Sequence, residues 1–261
     1  MASVSEVKSL LLDTTVPRSL IDESLDRAST LWLMSASAPL LAGDVVLCHP
    51  PVRAAEVRAA AHPLGGGATR LTVVAHDRPG LLADTAGLLA ADGLSVGSAS
   101  AMSWAGSSLA VHALTVVDGP LSERRWHQLG LRLRQLSQEA PPAVAFTPLG
   151  RATVTSSPSG TGRSVVTVTA PDQVGLLWAI CRWFADHGVT IEAARCGGAD
   201  GQVEDHFVVV GEPDSRGLAA RLTEPTGSLL ASAAGVAGSA VGLAAGMAAG
   251  VARTVSRRLS P

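Results

Sequence analysis

The sequence predicts an α+β fold that contains two copies of one structural unit. The main observation is an internal repeat: a shift of 95 residues aligns 71–114 with 166–209 without a gap and with eleven identities. Each copy also runs from an apolar, β-branched segment through a D-x-x-G-L-L turn into a helical pattern. A glycine, Gly93 or Gly188, follows each predicted helix, at a position where a left-handed residue commonly ends a helix. Together these features predict an antiparallel sheet with helices on one face.

The elements of each copy follow in the same order. A predicted buried strand, 71–75 or 165–170, leads into "DRPGLL" at 77–82 or "DQVGLL" at 172–177. The helix after it has apolar residues at i, i+3, i+4 and i+7, which in the second copy are Leu177, Ile180, Cys181 and Phe184. "LSV" and "VTI" then open a second strand, and a third strand returns after a hairpin expected at Gly106 or Gly201.

The ends of the two copies are expected to differ. In the first copy, 122–138 reads as an Arg- and Leu-rich helix and "AVAFTPL" at 143–149 as a fourth strand, which gives β-α-β-β-α-β. The second copy has a shortened second helix in "DSRGLAARLTEP" and no evident fourth strand. We therefore expect the second sheet to be incomplete.

The strand, "DRPGLL", helix, glycine and "LSVGSA" together resemble the ACT domain, a small regulatory module that binds amino acids. The tandem pair, with "ASAMS" and "EAARC" in the two second strands, is similar to the C-terminal part of bacterial PII-protein uridylyltransferase/uridylyl-removing enzymes. The resemblance covers about 70–222 and implies two ferredoxin-like ACT domains. The predicted division is a helical N-terminal segment and linker at 1–65, ACT domains at 66–150 and 151–225, and a Gly/Ala-rich tail at 226–261.

The glycine turn is the candidate ligand site. Free N–H groups in the first turn of a helix suit an amino-acid carboxylate, and glycine lets a ligand approach the backbone. The aspartate of the turn either pairs with the ligand ammonium or only caps the helix. The resemblance implies that the ligand lies where this turn meets the second strand of the neighbouring domain. The candidate ligand-binding residues are Asp77, Arg78, Gly80, Leu81, Ser98 and Ala99, with Asp172, Gln173, Gly175, Leu176, Ala193 and Ala194 in the second copy.

Some side chains near the turns are expected to have other roles. Gln173-Val174 replaces the usual Arg-Pro, which weakens the case for a working second site. We expect His112 and His206 to point from the third strands into solvent or towards a sheet neighbour. We expect Trp178 to pack in the core or in an interface.

Composition and motifs exclude several functional classes. The net charge is −2 and no run of five like charges occurs, so we expect no nucleic-acid partner. Three scattered cysteines, without CxxC or HExxH, predict neither a disulfide framework nor a metal site. No G-x-S-x-G, P-loop, Rossmann or nucleotidyltransferase signature is present. We therefore expect no enzyme activity, no catalytic residues and no cofactor.

The two ends of the chain predict helices and a tail. "EVKSLLLD", the segment from Val16 to Gly43 and "PVRAAEVRAAA" predict short amphipathic helices, either a spacer or a docking surface for a partner enzyme. The absence of a signal sequence predicts a cytoplasmic protein. Residues 227–252 carry no charge and have glycine at every fourth position from Gly238 to Gly250. This length suffices to span a bilayer, but the hydrophobicity is marginal, so a membrane-associated tail and a self-associating tail both stay open.

These observations lead to three functional hypotheses. The first is a non-catalytic regulator that binds an amino-acid effector at the turns and signals through altered domain packing. The second is an oligomerisation or adaptor module that forms a homodimer through its ACT sheets, tethered to a membrane by the tail. The third is a remnant of a PII uridylyltransferase.

Overall fold

A computed structural model describes residues 2–26, 28, 30–104, 108–117, 122–136 and 144–224. It confirms an α+β fold built on one antiparallel sheet of eight strands. The predicted hairpin at Gly106 and the predicted tail at 226–261 lie outside the described residues. No helix in the described ranges is both long and apolar enough to cross a membrane.

Four short helices come first: α1 (Val4–Leu11), α2 (Arg18–Asp26), α3 (Thr30–Ser35) and α4 (Ala38–Leu47). The first of them begins with a capping box, in which Ser3 accepts from the Glu6 N–H and Glu6 accepts from the Ser3 N–H. Helices are thus confirmed in this segment up to residue 47.

Two units with the same set of strands and helices follow. The first consists of β1 (Val57–Gly65), β2 (Ala68–His76), α5 (Leu81–Ala91), β3 (Val96–Trp104), β4 (Leu109–Val116) and α6 (Glu123–Gln135). The second consists of β5 (Thr153–Pro158), β6 (Arg163–Pro171), α7 (Leu176–Asp186), β7 (Ile191–Ala199), β8 (Gln202–Val210) and α8 (Ser215–Thr223). Each unit has the four strands and two helices of a ferredoxin-like fold, but its edge strand comes first rather than last.

The observed order corrects three predictions. "PVRAAEVRAAA" was expected to be helical, but Val57–Gly65 forms strand β1 and pairs with β2 along its whole length. Residues 144–149 were expected to form a fourth strand, but they form no strand because β1 already occupies that edge. In the second unit, β5 occupies the equivalent edge beside β6, so the sheet expected to be incomplete has four strands.

The sheet order is β1-β2-β4-β3-β7-β8-β6-β5, and the β3–β7 pair joins the two units at the centre. In that pair Ser100 lies opposite Arg195, its own counterpart in the repeat. An approximate two-fold axis therefore passes through this pair and relates the two units. Each glycine turn is thereby brought close to the other unit.

The gapless alignment of the repeat holds only as far as β3 in the first unit and β7 in the second. Val73 pairs with His112, whereas its counterpart Val168 pairs with Asp205. Four residues separate β3 from β4, but only two separate β7 from β8. The structural counterpart of His112 is therefore Asp205, at a shift of 93, and not Phe207.

Helices cover the two faces of the sheet unequally. On one face, α5 packs against α7, and together with α6 and α8 they bury one continuous apolar core across both units. On the other face, α1–α4 cover the first unit and form a second core with sheet residues that include Val74, Met102, Trp104 and Val111. The N-terminal helices therefore use apolar surface to pack on the sheet.

A buried polar group joins those helices to the sheet. Asp44 of α4 is 2% exposed and accepts hydrogen bonds from Arg70 (2.7 Å), Thr72 (2.9 Å) and Trp32 (3.1 Å). A buried charge is stabilised only when its oxygens are paired in this way. The arrangement fixes the position of α4 over β2.

Candidate functional site

The first glycine turn borders a cavity of about 320 Å³ that lies between the two units. The first unit contributes the turn, the start of α5, the end of β3 and part of β4. The second unit contributes one side of α7 and the residues that lead into β7, namely Cys181, Ala185 and 188–191. The volume lies within the range of small-molecule sites in proteins.

The turn leads directly into α5, whose first three residues line the cavity. Gly80 is the N-cap, in a left-handed conformation with φ of 80°, and no side chain caps the helix. The Asp77 N–H donates to the Ser108 carbonyl (2.7 Å) and the Leu81 N–H to the Arg78 carbonyl (3.2 Å). The N–H groups that begin a helix lack intrahelical acceptors and carry its partial positive charge. This end of the cavity therefore suits an anionic group.

Charged side chains surround the same end. Arg78 Nη2 lies 2.7 Å from Asp84 Oδ2, and Arg182 Nη2 of the second unit lies 2.6 Å from Asp84 Oδ1. Arg78 also donates to the Leu136 carbonyl (2.8 Å). On the other side of the turn, Ser103 donates to the Asp77 carboxylate. Arg182 also lies 3.6 Å from Asp186 Oδ1, so Asp84 and Asp186 balance the two guanidinium groups, while Asp77 adds a separate negative charge beside the turn.

Away from the turn, the lining of the cavity includes several apolar residues and one buried histidine. Ala101, Met102, Ala185 and Ile191 are among its lining residues. His112 also lines it, is 4% exposed, and has its Nδ1 3.3 Å from Thr85 Oγ1. Burial, with a smaller contribution from Arg78, lowers the pKa of His112 to about 4. The imidazole is therefore neutral at neutral pH.

The second glycine turn borders a cavity of only about 30 Å³. Trp178 lines it at the position that corresponds to Ala83 in the first unit. A side chain added at Gly175 would lie 3.5 Å from Val144 and 4.0 Å from Phe146, and Gln173 donates to the Thr147 carbonyl (2.8 Å). The connection between the units thus passes close to the second turn.

A buried carboxyl group borders this smaller cavity. Asp205 is 3% exposed, lines the cavity and accepts a hydrogen bond from the Gly197 N–H (3.1 Å). Burial raises the pKa of Asp205 to about 7. Asp205 is the counterpart of His112, so a buried titratable side chain borders each of the two cavities.

The second unit has a recognisable family. Residues 164–224 match the ACT domain. No curated protein matches the chain. A solved structure of aspartate kinase from Synechocystis is similar over 60% of this chain and 26% of that chain, with 14% sequence identity and a TM-score of 0.38. This chain thus spans about a quarter of the length of the kinase.

Of the residues predicted for the first ligand site, Asp77, Arg78, Gly80 and Leu81 line the larger cavity. In the ACT domain of the second unit, their counterparts Asp172, Gln173, Gly175 and Leu176 line the smaller one. Arg78 also pairs with Asp84 at 2.7 Å. The structure thus brings each predicted turn to a cavity of different size.

The residues predicted to face the turns lie elsewhere. Ser98, Ala99, Ala193 and Ala194 occur in the paired segments of β3 and β7, and they line neither of the two cavities. At the first cavity, β3 contributes residues after Ser100, whereas β7 contributes its first residue, Ile191. At the second cavity, β7 contributes residues after Arg195, whereas β3 contributes its first residue, Val96. Residues 188–191 therefore form the wall opposite the first turn.

Sequence reasoning missed the two buried titratable residues. His112 was expected to point away from the core, but it lies on the helix side of β4 beside α5. The prediction for His206 agrees with the structure, where it contacts Glu204 (3.0 Å) and Thr167 (3.1 Å) on the sheet. The signal for His112 was the alternation of β4, because Leu114 and Val116 are two and four residues further on and belong to the helix-side core.

The described residues contain no group of three or more His, Cys, Asp or Glu side chains that could hold a metal ion. Cys48, Cys181 and Cys196 are free and buried. Burial raises the pKa of Cys48 to about 12, so this thiol stays protonated and is a poor nucleophile.

Proposed function

We propose that both units are ACT domains in tandem, and that the chain is a non-catalytic regulator that binds one amino-acid effector in the larger cavity. The observation that carries the proposal is the position of this cavity, which lies between the units and against the uncapped start of α5. The match of 164–224 to the ACT domain supports it, because ACT domains are regulatory modules that bind amino acids.

The arrangement of charges fits a zwitterionic ligand. A carboxylate bound at the start of α5 would meet helical N–H groups and would lie beside the guanidinium groups of Arg78 and Arg182. An ammonium group would meet Asp77, whose carboxylate accepts from Ser103 and has further lone pairs for a second donor. The apolar interior would then surround the side chain of the effector.

Binding would also connect the two units. Because residues of both units form the cavity wall, a ligand there has more contacts when the units are docked than when they are apart. Its binding free energy would shift the equilibrium towards the docked arrangement. We propose this shift as the regulatory signal; a homodimer, a partner enzyme and descent from a uridylyltransferase stay predictions.

Calorimetry of the full chain against the twenty amino acids tests the proposal. We expect one equivalent of one amino acid to bind. Gly80→Asp should weaken binding at least tenfold, because it places a negative charge and a side chain at the carboxylate position. Gly175→Asp is the matched control, since Gly80 and Gly175 have φ of 80° and 88° and share the backbone strain. Absence of binding by all twenty amino acids, or equal effects of the two variants, would contradict the proposal.

A further inference from the structure

His112 is a buried polar side chain that lines the larger cavity. The residue retains 4% exposure and lines the cavity, so the exposed part of the ring faces the cavity. In the described part of the chain, Thr85 is the hydrogen-bond partner of this imidazole. One ring nitrogen, Nδ1, faces Thr85, and the other, Nε2, is left for a ligand.

The hydrogen bonds of Thr85 determine which nitrogen carries the proton. A threonine hydroxyl has one hydrogen, and Thr85 Oγ1 donates it to the Leu81 carbonyl at 2.9 Å. The contact between Thr85 Oγ1 and His112 Nδ1 at 3.3 Å therefore needs its hydrogen from Nδ1. A neutral imidazole carries a single N–H. With the proton on Nδ1, Nε2 presents a lone pair.

We infer that His112 Nε2 makes the larger cavity selective for an amino acid whose neutral side chain donates a hydrogen bond, that is, a primary amide or a hydroxyl. This inference rests on the proposed function and specifies the ligand class for the same cavity. A buried acceptor without a partner is unfavourable, so a ligand without a donor would leave Nε2 unpaired. A carboxylate side chain would place lone pairs against the Nε2 lone pair and is excluded for that reason.

The expected selectivity exceeds what an apolar pocket achieves. Pockets that only fill space separate ligands differing by one methylene group by about 10- to 200-fold, and they reject an isostere poorly. A site with a fixed hydrogen-bond acceptor rejects the isostere that lacks the donor much more strongly. His112 thus specifies side-chain chemistry, whereas the turn would bind the part common to all amino acids.

Two pairs of similarly shaped ligands test the inference by calorimetry on the full chain: glutamine against methionine, and threonine against valine. In whichever pair binds, we expect the ligand with the hydrogen-bond donor, glutamine or threonine, to have at least tenfold higher affinity than its apolar partner. We also expect glutamate to bind at least tenfold more weakly than glutamine. Equal affinities within the binding pair, or tightest binding by glutamate, would overturn the inference and leave the proposed function standing. Failure of all twenty amino acids to bind would instead remove the proposed function.

Variants of His112 separate recognition from a structural role. His112→Leu should lower the affinity ratio of the binding pair to near one, and His112→Gln should keep the donor preferred because its amide oxygen accepts a hydrogen bond. His206→Leu is the control, because His206 lies on β8 and does not line the larger cavity. It should leave the affinity ratio unchanged. Thermal unfolding reports whether each variant is folded. An unchanged affinity ratio in His112→Leu would contradict the inference. If His112→Leu does not fold, an affinity ratio near one in folded His112→Gln would contradict it instead.

Discussion

The two glycine turns have nearly the same backbone conformation and lie at related positions beside one sheet, yet the cavities they border differ greatly in volume. Gly80 and Gly175 have φ of 80° and 88°, and each precedes an eleven-residue helix. The first cavity has a volume of about 320 Å³ and the second about 30 Å³. The backbone of the turn therefore does not determine whether a ligand-sized space exists beside it.

The side chains opposite the turns account for this difference. Ala83 in the first unit becomes Trp178 in the second, and Thr85 becomes Ile180. On the last strand His112 becomes Asp205. The connection at 144–149 passes close to the second turn, where Val144 lies near Gly175. The two turns thus share a backbone conformation, and the side chains around each turn determine how much space lies beside it.

Asp205 provides the prediction with the largest expected effect. Its pKa is about 7 in the folded protein, against 3.8 for an ordinary aspartate, so the folded state binds the extra proton between these pH values. The free energy of unfolding from this group therefore falls as pH rises from about 4 to about 7, by on the order of 4 kcal/mol. Asp205→Asn should remove that loss and be more stable than the native chain at pH 8, but similar to it at pH 4.

Urea unfolding at pH 4, 6 and 8 measures this effect as the difference between the variant and the native chain. Glu204→Gln is the matched control, because Glu204 is the neighbouring acid on β8 and its side chain is 66% exposed. The control should show little change with pH. A difference between Asp205→Asn and the native chain that stays constant from pH 4 to pH 8 would contradict the assignment.

Trp178 sharpens the comparison of the cavities directly. Its indole is partly buried against the helix-side core and lies close to Gly87. Trp178→Ala should lower the free energy of unfolding by about 3 kcal/mol, at the low end of values for aromatic truncation because the burial is partial. It should enlarge the second cavity without creating a second binding equivalent, because residues 144–147 and Asp205 stay in place.

Urea unfolding and ligand titration of Trp178→Ala check both parts of this prediction. Trp126→Ala removes a partly buried indole from α6 of the first unit and serves as the control. It should also reduce stability and leave the stoichiometry at one. A second equivalent bound by Trp178→Ala would show that this single side chain closes the second site.

In each unit, the run from the buried strand through the glycine turn and helix to the next two strands was predictable because its signals are local. β-Branched runs, the D-x-x-G-L-L turns and the glycines after the helices need no tertiary information. Strand β1 was not predictable in this way, since "AAEVRAAA" consists mostly of alanine, glutamate and arginine, which favour helices. Its strand conformation comes from pairing with β2, a contact that overrides local propensity.

The candidate site was predictable on the side of the turn and not on the opposite side. Asp77, Arg78 and Gly80 adjoin one another in sequence, whereas Ile191 and Ala185 come from more than 100 residues further along. Their position depends on the register in which β3 pairs with β7, which no local pattern encodes. His112 depends in addition on a two-residue difference between the hairpins, which a gapless alignment conceals.

The smallest expected effect concerns the ion pair across the two units. Asp84 of the first unit pairs with Arg182 of the second at 2.6 Å. The counterparts of these two residues in the repeat are Ala179 and Gly87, which cannot form an ion pair. Since the Asp84 side chain is 5% exposed and that of Arg182 is 26% exposed, a double-mutant cycle of Asp84→Asn and Arg182→Met should give a coupling of about 1 kcal/mol. The pair of Arg182 with exposed Asp186 at 3.6 Å is the control, with an expected coupling below about 0.5 kcal/mol. Equal couplings would mean that this contact between the units contributes no more than an exposed pair, and the asymmetry of the molecule would then lie in its cavities rather than in its charges.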